Sequence, residues 1–191
     1  MPIITLTGAS GVGKTSYAHE LLKLPDWLLI PSTTTRASRA KDLPGEYRHV
    51  TDDDFAARTF LWDVRLHGHR YGTDQADVES ALDDRHYRMM LVDPQGVRLL
   101  RRHIGGRGRT ANVYLLSPAE AVLRERLERR KTRDGLSDNE VERRVVECRD
   151  WDEAALASDL PYLFVPGEVL IADAASFIRK LVDRALKGEA P

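Results

Sequence analysis

One stretch concentrates the residues best suited to chemistry. Gly8-Ala9-Ser10-Gly11-Val12-Gly13-Lys14-Thr15 fills all eight positions of a phosphate-binding loop. Glycines let backbone N–H groups turn toward phosphate oxygens, and a helix beginning at the loop's end adds the positive end of its dipole. Lys14 can reach β- and γ-phosphates, and the Thr15 hydroxyl can ligate Mg²⁺. Gly8, Ser10, Gly11, Val12, Gly13, Lys14, Thr15 and Ser16 therefore form the expected ATP site, with Mg²⁺ at Thr15. Such a loop defines a phosphate binder and leaves the reaction open. Asp93 is a second candidate, because it ends the apolar run Met89-Met90-Leu91-Val92. An acid at the carboxyl end of a buried parallel strand lies where ligands bind. It can hold a Mg²⁺-bound water or an acceptor group, or simply cap the next helix.

These residues need particular elements to position them. Ile3–Thr7 reads as a buried strand before the loop, and 15–24 as the helix after it, stopped by Pro25. Further strands are expected at Trp27–Ile30, Phe60–Leu66, His69–Tyr71, Tyr87–Val92, Val113–Leu116 and Tyr162–Val165. Helices are expected from Thr51 or Asp52 to Ala57, from a Thr73 cap to Leu82, and over Ala174–Leu186. Ser117-Pro118-Ala119-Glu120 carries Ser, Pro and Glu in the order of an N-cap, N1 and N3, and Ser137 with Glu140 repeats the capping-box pattern toward Trp151. Between these two helices, 129–133 reads as a loop. Strands spaced by helices imply an α/β fold with a mainly parallel sheet covered on both faces. The polar stretch 32–82 breaks this rhythm and reads as a small inserted lobe.

Composition narrows the classes. The 191 residues suit one domain, and 29 Lys+Arg against 30 Asp+Glu exclude a globally basic nucleic-acid binder. The arginine-rich stretch 98–109 is expected to be a solvated helix face and loop. No apolar run approaches a membrane span, the N-terminus carries no basic leader, and the one cysteine, Cys148, excludes an internal disulfide framework. A cytoplasmic protein, monomer or homodimer, working on small nucleotides without nucleic acid or membrane, is the expectation. His67 and His69 lack further convergent ligands for a metal, and Asp52-Asp53-Asp54 suit a helix dipole better than an ion.

The chain resembles the guanylate kinases. The resemblance rests on the glycine loop, Ser32-Thr33-Thr34-Thr35-Arg36-Ala37-Ser38-Arg39, Gly45-Glu46-Tyr47-Arg48-His49-Val50, His67-Gly68-His69-Arg70-Tyr71-Gly72-Thr73, Asp93-Pro94-Gln95-Gly96, and Arg126-Leu127-Glu128-Arg129-Arg130 with Arg144. It covers nearly the whole chain, in order. It implies γ-phosphoryl transfer from ATP to GMP or dGMP. It further implies that Ser32, Arg36, Arg39, Tyr47 and Tyr71 hold the acceptor phosphate, that Thr73 and Asp93 face its base or ribose, and that Arg130 and Arg144 close over the transferring group. Lys14, Arg36, Arg130 and Arg144 are the implied catalytic residues. Such transfer needs positioning and charge neutralisation more than covalent chemistry. The implied layout is one domain with a core (1–31, 84–128, 145–191), a substrate lobe (about 32–83) and a lid (about 129–144).

Two departures stand out. The family places a guanine-binding Glu, followed by Trp, nine residues before the second lobe tyrosine. Nine residues before Tyr71 is Trp62, and Asp63 follows. Either Asp63 receives the base after a one-residue shift, or the base is read differently; a shift of one reverses the face a side chain takes. The family also often carries Asn-Asp after the last strand, where Pro166-Gly167 stands here. The competing functions are the same chemistry on another (deoxy)nucleoside monophosphate or a ribose bisphosphate, and a kinase-derived module that binds without turnover.

Overall fold

Every residue of β1 (Ile3–Thr7) is buried, as expected of a strand covered on both faces. The structure, a computed structural model, describes residues 2–40, 42–66, 68–134 and 137–189, and among them all side chains except those of residues 130 and 132–134. After β1 come α1 (Lys14–Leu21), β2 (Trp27–Leu29), β3 (Ser32–Thr34), β4 (Tyr47–His49), α2 (Asp52–Ala56), β5 (Phe60–Leu66), β6 (His69–Asp74) and α3 (Gln75–Leu82). Then follow β7 (Tyr87–Leu91), α4 (Pro94–Ile104), β8 (Thr110–Leu115), α5 (Glu120–Asp134), α6 (Asp138–Leu156), β9 (Tyr162–Val165) and α7 (Ala174–Leu186). The fold is α/β, with a parallel sheet flanked by helices; the pairs β2/β7 and β8/β9 are both parallel.

The described chain forms two compact units, and β1 begins in the first and ends in the second. The first unit (Met1–Thr5, Leu22–Thr110) holds the strand order β2-β7-β1 and a four-stranded sheet, β4-β3-β6-β5. In that second sheet β3 pairs parallel with β4 and antiparallel with β6, which pairs antiparallel with β5. Trp27 stacks on Tyr87 at 5.0 Å between ring centroids, and Phe55 lies 4.2 Å from Phe60. The amphipathic α4 buries Val97, Leu100 and Ile104 while Arg98, Arg101 and Arg102 stay on its outer face.

The second unit (Leu6–Leu21, Ala111–Pro191) holds the order β1-β8-β9 with α1, α5, α6 and α7. Helix α6 starts with the expected capping box: the Glu140 amide donates to the Ser137 hydroxyl, and the Ser137 amide donates to the Glu140 carboxylate. Cys148 is buried, and burial pushes its thiol up, so it stays a packed thiol.

Four local expectations are corrected. Helix α5 begins at Glu120, not at Pro118; the Ser117 amide is held by Asp152 at 2.9 Å, and the Ala119 carbonyl accepts the first helical bonds. Residues 129–133 continue α5 as helix, since an arginine-rich run carries good helical propensity with (i, i+4) Glu–Arg pairs such as Glu125–Arg129. The cap of α3 is Asp74, because β6 runs three residues beyond Tyr71 and takes Thr73 into the sheet. Helix α1 ends at Leu21, ahead of a turn in which the Trp27 amide donates to the Leu24 carbonyl. Strands β3 and β4, three residues each and largely polar, carry no periodic signal and were not expected individually.

Candidate active site

The phosphate loop occupies the turn between β1 and α1. Its glycines take backbone shapes that other residues avoid. Gly8 has φ 152°, and a Cβ there would stand 2.8 Å from the Leu115 carbonyl oxygen; Gly11 has φ 107°. Lys14 opens α1 and folds back, its Nζ donating to the carbonyls of Gly8 (2.7 Å) and Ala9 (2.9 Å). The ammonium is thus already held over the loop. Ser10, Thr15 and Ser16 are exposed, Gly11 and Gly13 half-buried, and Val12 buried. The Cys148 thiol lies 3.5 Å from the Ser10 carbonyl, backing the loop from α6.

Sequence reasoning left one residue out of this loop's surroundings. Arg126 on α5 donates to the Val12 carbonyl at 3.3 Å. Its place four residues before Arg130 was the available signal, since i and i+4 share a helix face. Arg130 itself lies outside the described side chains. Arg144 is half-buried on α6, while its neighbour Arg143 is exposed and pairs with Glu147 at 3.5 Å. The segment after β9 is pinned twice: the Tyr17 hydroxyl donates to the Val169 carbonyl at 2.5 Å, and a Cβ on Gly167 would come within 2.4 Å of the Ser117–Pro118 backbone.

In the first unit, the four-stranded sheet groups most of the expected acceptor residues. Side chains alternate faces along a strand, and directly paired residues share one. The pairings Ser32↔Tyr47, Thr34↔Tyr71 and Trp62↔Thr73 therefore place Ser32, Tyr47, Tyr71, Thr73 and Trp62 on a single face. Asp63 pairs with Gly72, so it lies on the opposite face, where its side chain is exposed. The irregularity in β5 falls between Phe60 and Trp62, before this register begins.

Arg36 follows β3 and is only 5% exposed. Its guanidinium lies 4.8 Å over the Tyr47 ring and donates to the Ala37 carbonyl (2.8 Å) and Asp42 Oδ1 (2.9 Å). Burial is the largest influence and works against its charge, but the Asp42 hydrogen bond and charge, with Tyr71 and Tyr47, together outweigh it and hold the guanidinium above its ordinary value. The Tyr47 and Tyr71 rings meet edge-on at 6.2 Å. Burial first, then the Glu46 carboxylate, pushes the Tyr47 phenol up, so it remains a neutral donor. Arg39 is exposed, and its amide is held by Asp42 at 2.9 Å. Asp93 caps α4, its Oδ1 accepting from the Gly96 amide at 2.7 Å. On the opposite face, Asp74 gathers Thr33, Arg48 and Arg58, which ties β3, β4 and β6 in register.

Among the described residues no group of three or more His, Cys, Asp or Glu could hold a metal. Thr15 presents an exposed hydroxyl that makes no hydrogen bond among the described residues. That set fits an ion held mainly by nucleotide phosphates and water, as Mg²⁺ usually is.

A strand, a glycine loop and a helix opening on Lys-Thr, within a parallel α/β fold, define a P-loop phosphate-binding protein. The guanylate kinase family model matches residues 1–149. A guanylate kinase of Anaeromyxobacter dehalogenans is 35% identical over 153 residues, 77% of this chain and 66% of that protein. One of Thermotoga maritima is 34% identical over 136 residues, 68% of this chain and 64% of that protein. The chain thus spans just under two thirds of the length of these relatives. The crystal structure of guanylate kinase from Anaplasma phagocytophilum shares the fold, with a TM-score of 0.68 at 19% identity over 97% of this chain and 86% of that one. The chain belongs to the guanylate kinase family.

Proposed function

We propose that the protein transfers the γ-phosphoryl group of Mg-ATP to a nucleoside monophosphate, with GMP or dGMP as first acceptors. The observation that carries this reading is the buried Arg36 beside Tyr47 and Tyr71 on the face that also presents Ser32. A cation held in place with neutral hydroxyl donors around it suits a phosphate monoester. The intact loop with Lys14 and Thr15 supports a donor that is turned over, which argues against a module that only binds. In this reading Lys14 neutralises the transferring phosphates. Thr15 would hold Mg²⁺, and Asp93 would contribute through a water. Arg130 and Arg144 arrive from the lid, and Arg39 joins Arg36 at the acceptor phosphate. Closure of the lobe and the lid on substrate is part of the same proposal, and it would exclude water as a competing acceptor. A cytoplasmic monomer or homodimer is part of the same proposal; among the described residues no helix is long and apolar enough to cross a membrane. The test is ADP release with Mg-ATP across GMP, dGMP, AMP, dAMP, CMP, dCMP, UMP and dTMP. Turnover of at least one is expected, and silence with all eight would overturn the reading.

A second reading, the same chemistry on another (deoxy)nucleoside monophosphate, is favoured by the strand register. Guanine offers N–H donors on its pairing edge and asks for an acceptor. Among the described residues, β3 to β6 put no carboxylate on the Tyr71 face, and Asp63 is on the other. Trp62 on that face would stack on any base, a contact worth about 1–3 kcal/mol. Trp62→Ala should therefore raise KM for purine monophosphates alike, by roughly 10–100-fold. Asp63→Ala should change the GMP to AMP ratio of kcat/KM by less than about threefold. A loss of guanine selectivity in Asp63→Ala would restore the carboxylate reading.

A further inference from the structure

We infer that Asp42 is a positioning residue that builds the acceptor-phosphate site by anchoring both Arg36 and Arg39. Its carboxylate divides its two oxygens between them. Oδ1 accepts from the Arg36 guanidinium at 2.9 Å, and Oδ2 accepts from the Arg39 amide at 2.9 Å. The Asp42 amide in turn donates to the Arg39 carbonyl at 3.0 Å, which closes the turn. His49 completes the frame from β4: its Nδ1 lies 2.7 Å from the Arg36 carbonyl and its Nε2 lies 3.6 Å from Asp42 Oδ2. The pair is shielded, with side-chain exposures of 6% for Arg36 and 12% for Asp42.

This geometry distinguishes anchoring from a chance surface pair. An exposed ion pair holds its partners weakly, whereas Arg36 is fixed on three sides, by Ala37, Asp42 and the Tyr47 ring. A guanidinium has five N–H donors. Two are used here, by Ala37 and Asp42, which leaves three without a hydrogen bond among the described residues. A cation that is buried, oriented and still has donors to spare is prepared for an anion, so binding need not first order the side chain. Asp42 touches no substrate in this account and acts through Arg36 and Arg39.

The inference rests on the acceptor reading of this face, and two experiments separate the two. The first compares wild type, Asp42→Asn and Asp42→Glu in steady-state kinetics, with the acceptor and Mg-ATP varied in turn. Asp42→Asn is expected to raise acceptor KM by about tenfold or more, with kcat within about threefold and the ATP KM unchanged. Asp42→Glu, which keeps the charge, should recover most of that affinity. An acceptor KM within about twofold of wild type, or one that falls, would overturn the inference, because the carboxylate would then be idle or competing with the phosphate. The second experiment follows the Arg36 Nε–Hε resonance by ¹H–¹⁵N NMR, and needs no active or even folded variant. A rigid side chain in ligand-free wild type that shifts on titration with inorganic phosphate is expected. A freely rotating guanidinium would overturn the inference. Absence of turnover with every monophosphate, alongside a rigid and phosphate-responsive Arg36, would remove the kinase reading and leave the anchoring standing.

Discussion

Replacing Lys14 with alanine should lower kcat by on the order of 10³-fold while leaving the acceptor KM nearly unchanged. The ammonium is the only basic side chain inside the glycine loop, and the loop already holds it through the Gly8 and Ala9 carbonyls. Charge that develops on phosphate oxygens in the transition state would lose its fixed counter-charge, so the loss falls on the chemical step. The fold should survive. Two loop carbonyls lose a donor, at about 1 kcal/mol or less each in a water-accessible loop, and for a chain of this size that moves Tm by no more than about 4–8 °C. Lys14→Arg should fail to restore turnover, because a planar fork does not replace a compact point charge. Steady-state kinetics together with thermal melts measure both parts. Near-normal turnover in Lys14→Ala would sink the assignment of this loop to the donor phosphates.

The second large effect is expected at Arg36. Hydrogen bonds to charged groups contribute about 1.5–3 kcal/mol each, so losing a two-bond clamp should cut acceptor kcat/KM by roughly 10²–10⁴-fold, mostly through KM. The ATP KM should hold, and a loss carried by acceptor KM rather than by kcat separates this variant from Lys14→Ala. Stability should fall too, because Asp42 keeps a shielded carboxylate without its partner. Its pH dependence follows from the wild-type carboxyl. Burial pushes that group up, but hydrogen bonds from the Arg36 guanidinium and the Arg39 amide outweigh it and hold Asp42 below the usual carboxylate range. A depressed folded-state pKa contributes stability that is present above the unfolded value and lost as pH falls through the folded one. Arg36→Ala should therefore be less stable than wild type at neutral pH, and the gap should narrow as pH falls below about 4. Denaturant melts between neutral pH and the acid limb check this. A gap that widens toward acid would contradict it.

The strand, glycine loop and helix that begin the chain were legible in the sequence, because they are local. A glycine loop between an apolar strand and a helix needs only neighbouring residues to declare itself, and β1 and α1 begin where the spacing put them or within one residue. The capping box at Ser137 and the acids after Thr51 were legible for the same reason. The end of α5 was not: solvated arginines read as loop, while (i, i+4) pairs carry the helix on. Strands β3 and β4 escaped because three-residue polar strands owe their pairing to partners distant in sequence.

Residue types along the chain pointed to a phosphate site and its place: a loop with Lys14 and Thr15 has few other uses, and its pattern closes within eight residues. The resemblance to the guanylate kinases, rather than residue type, implied Arg36, Tyr47 and Tyr71 as acceptor residues. Residue types did not decide between Trp62 and Asp63, because adjacent strand residues differ only in face, and the face is set by hydrogen bonding to β6. Nor did they reveal Asp42, six residues beyond Arg36 in a segment without periodicity. Its role exists only because the loop folds back and brings one carboxylate against a guanidinium and an amide together.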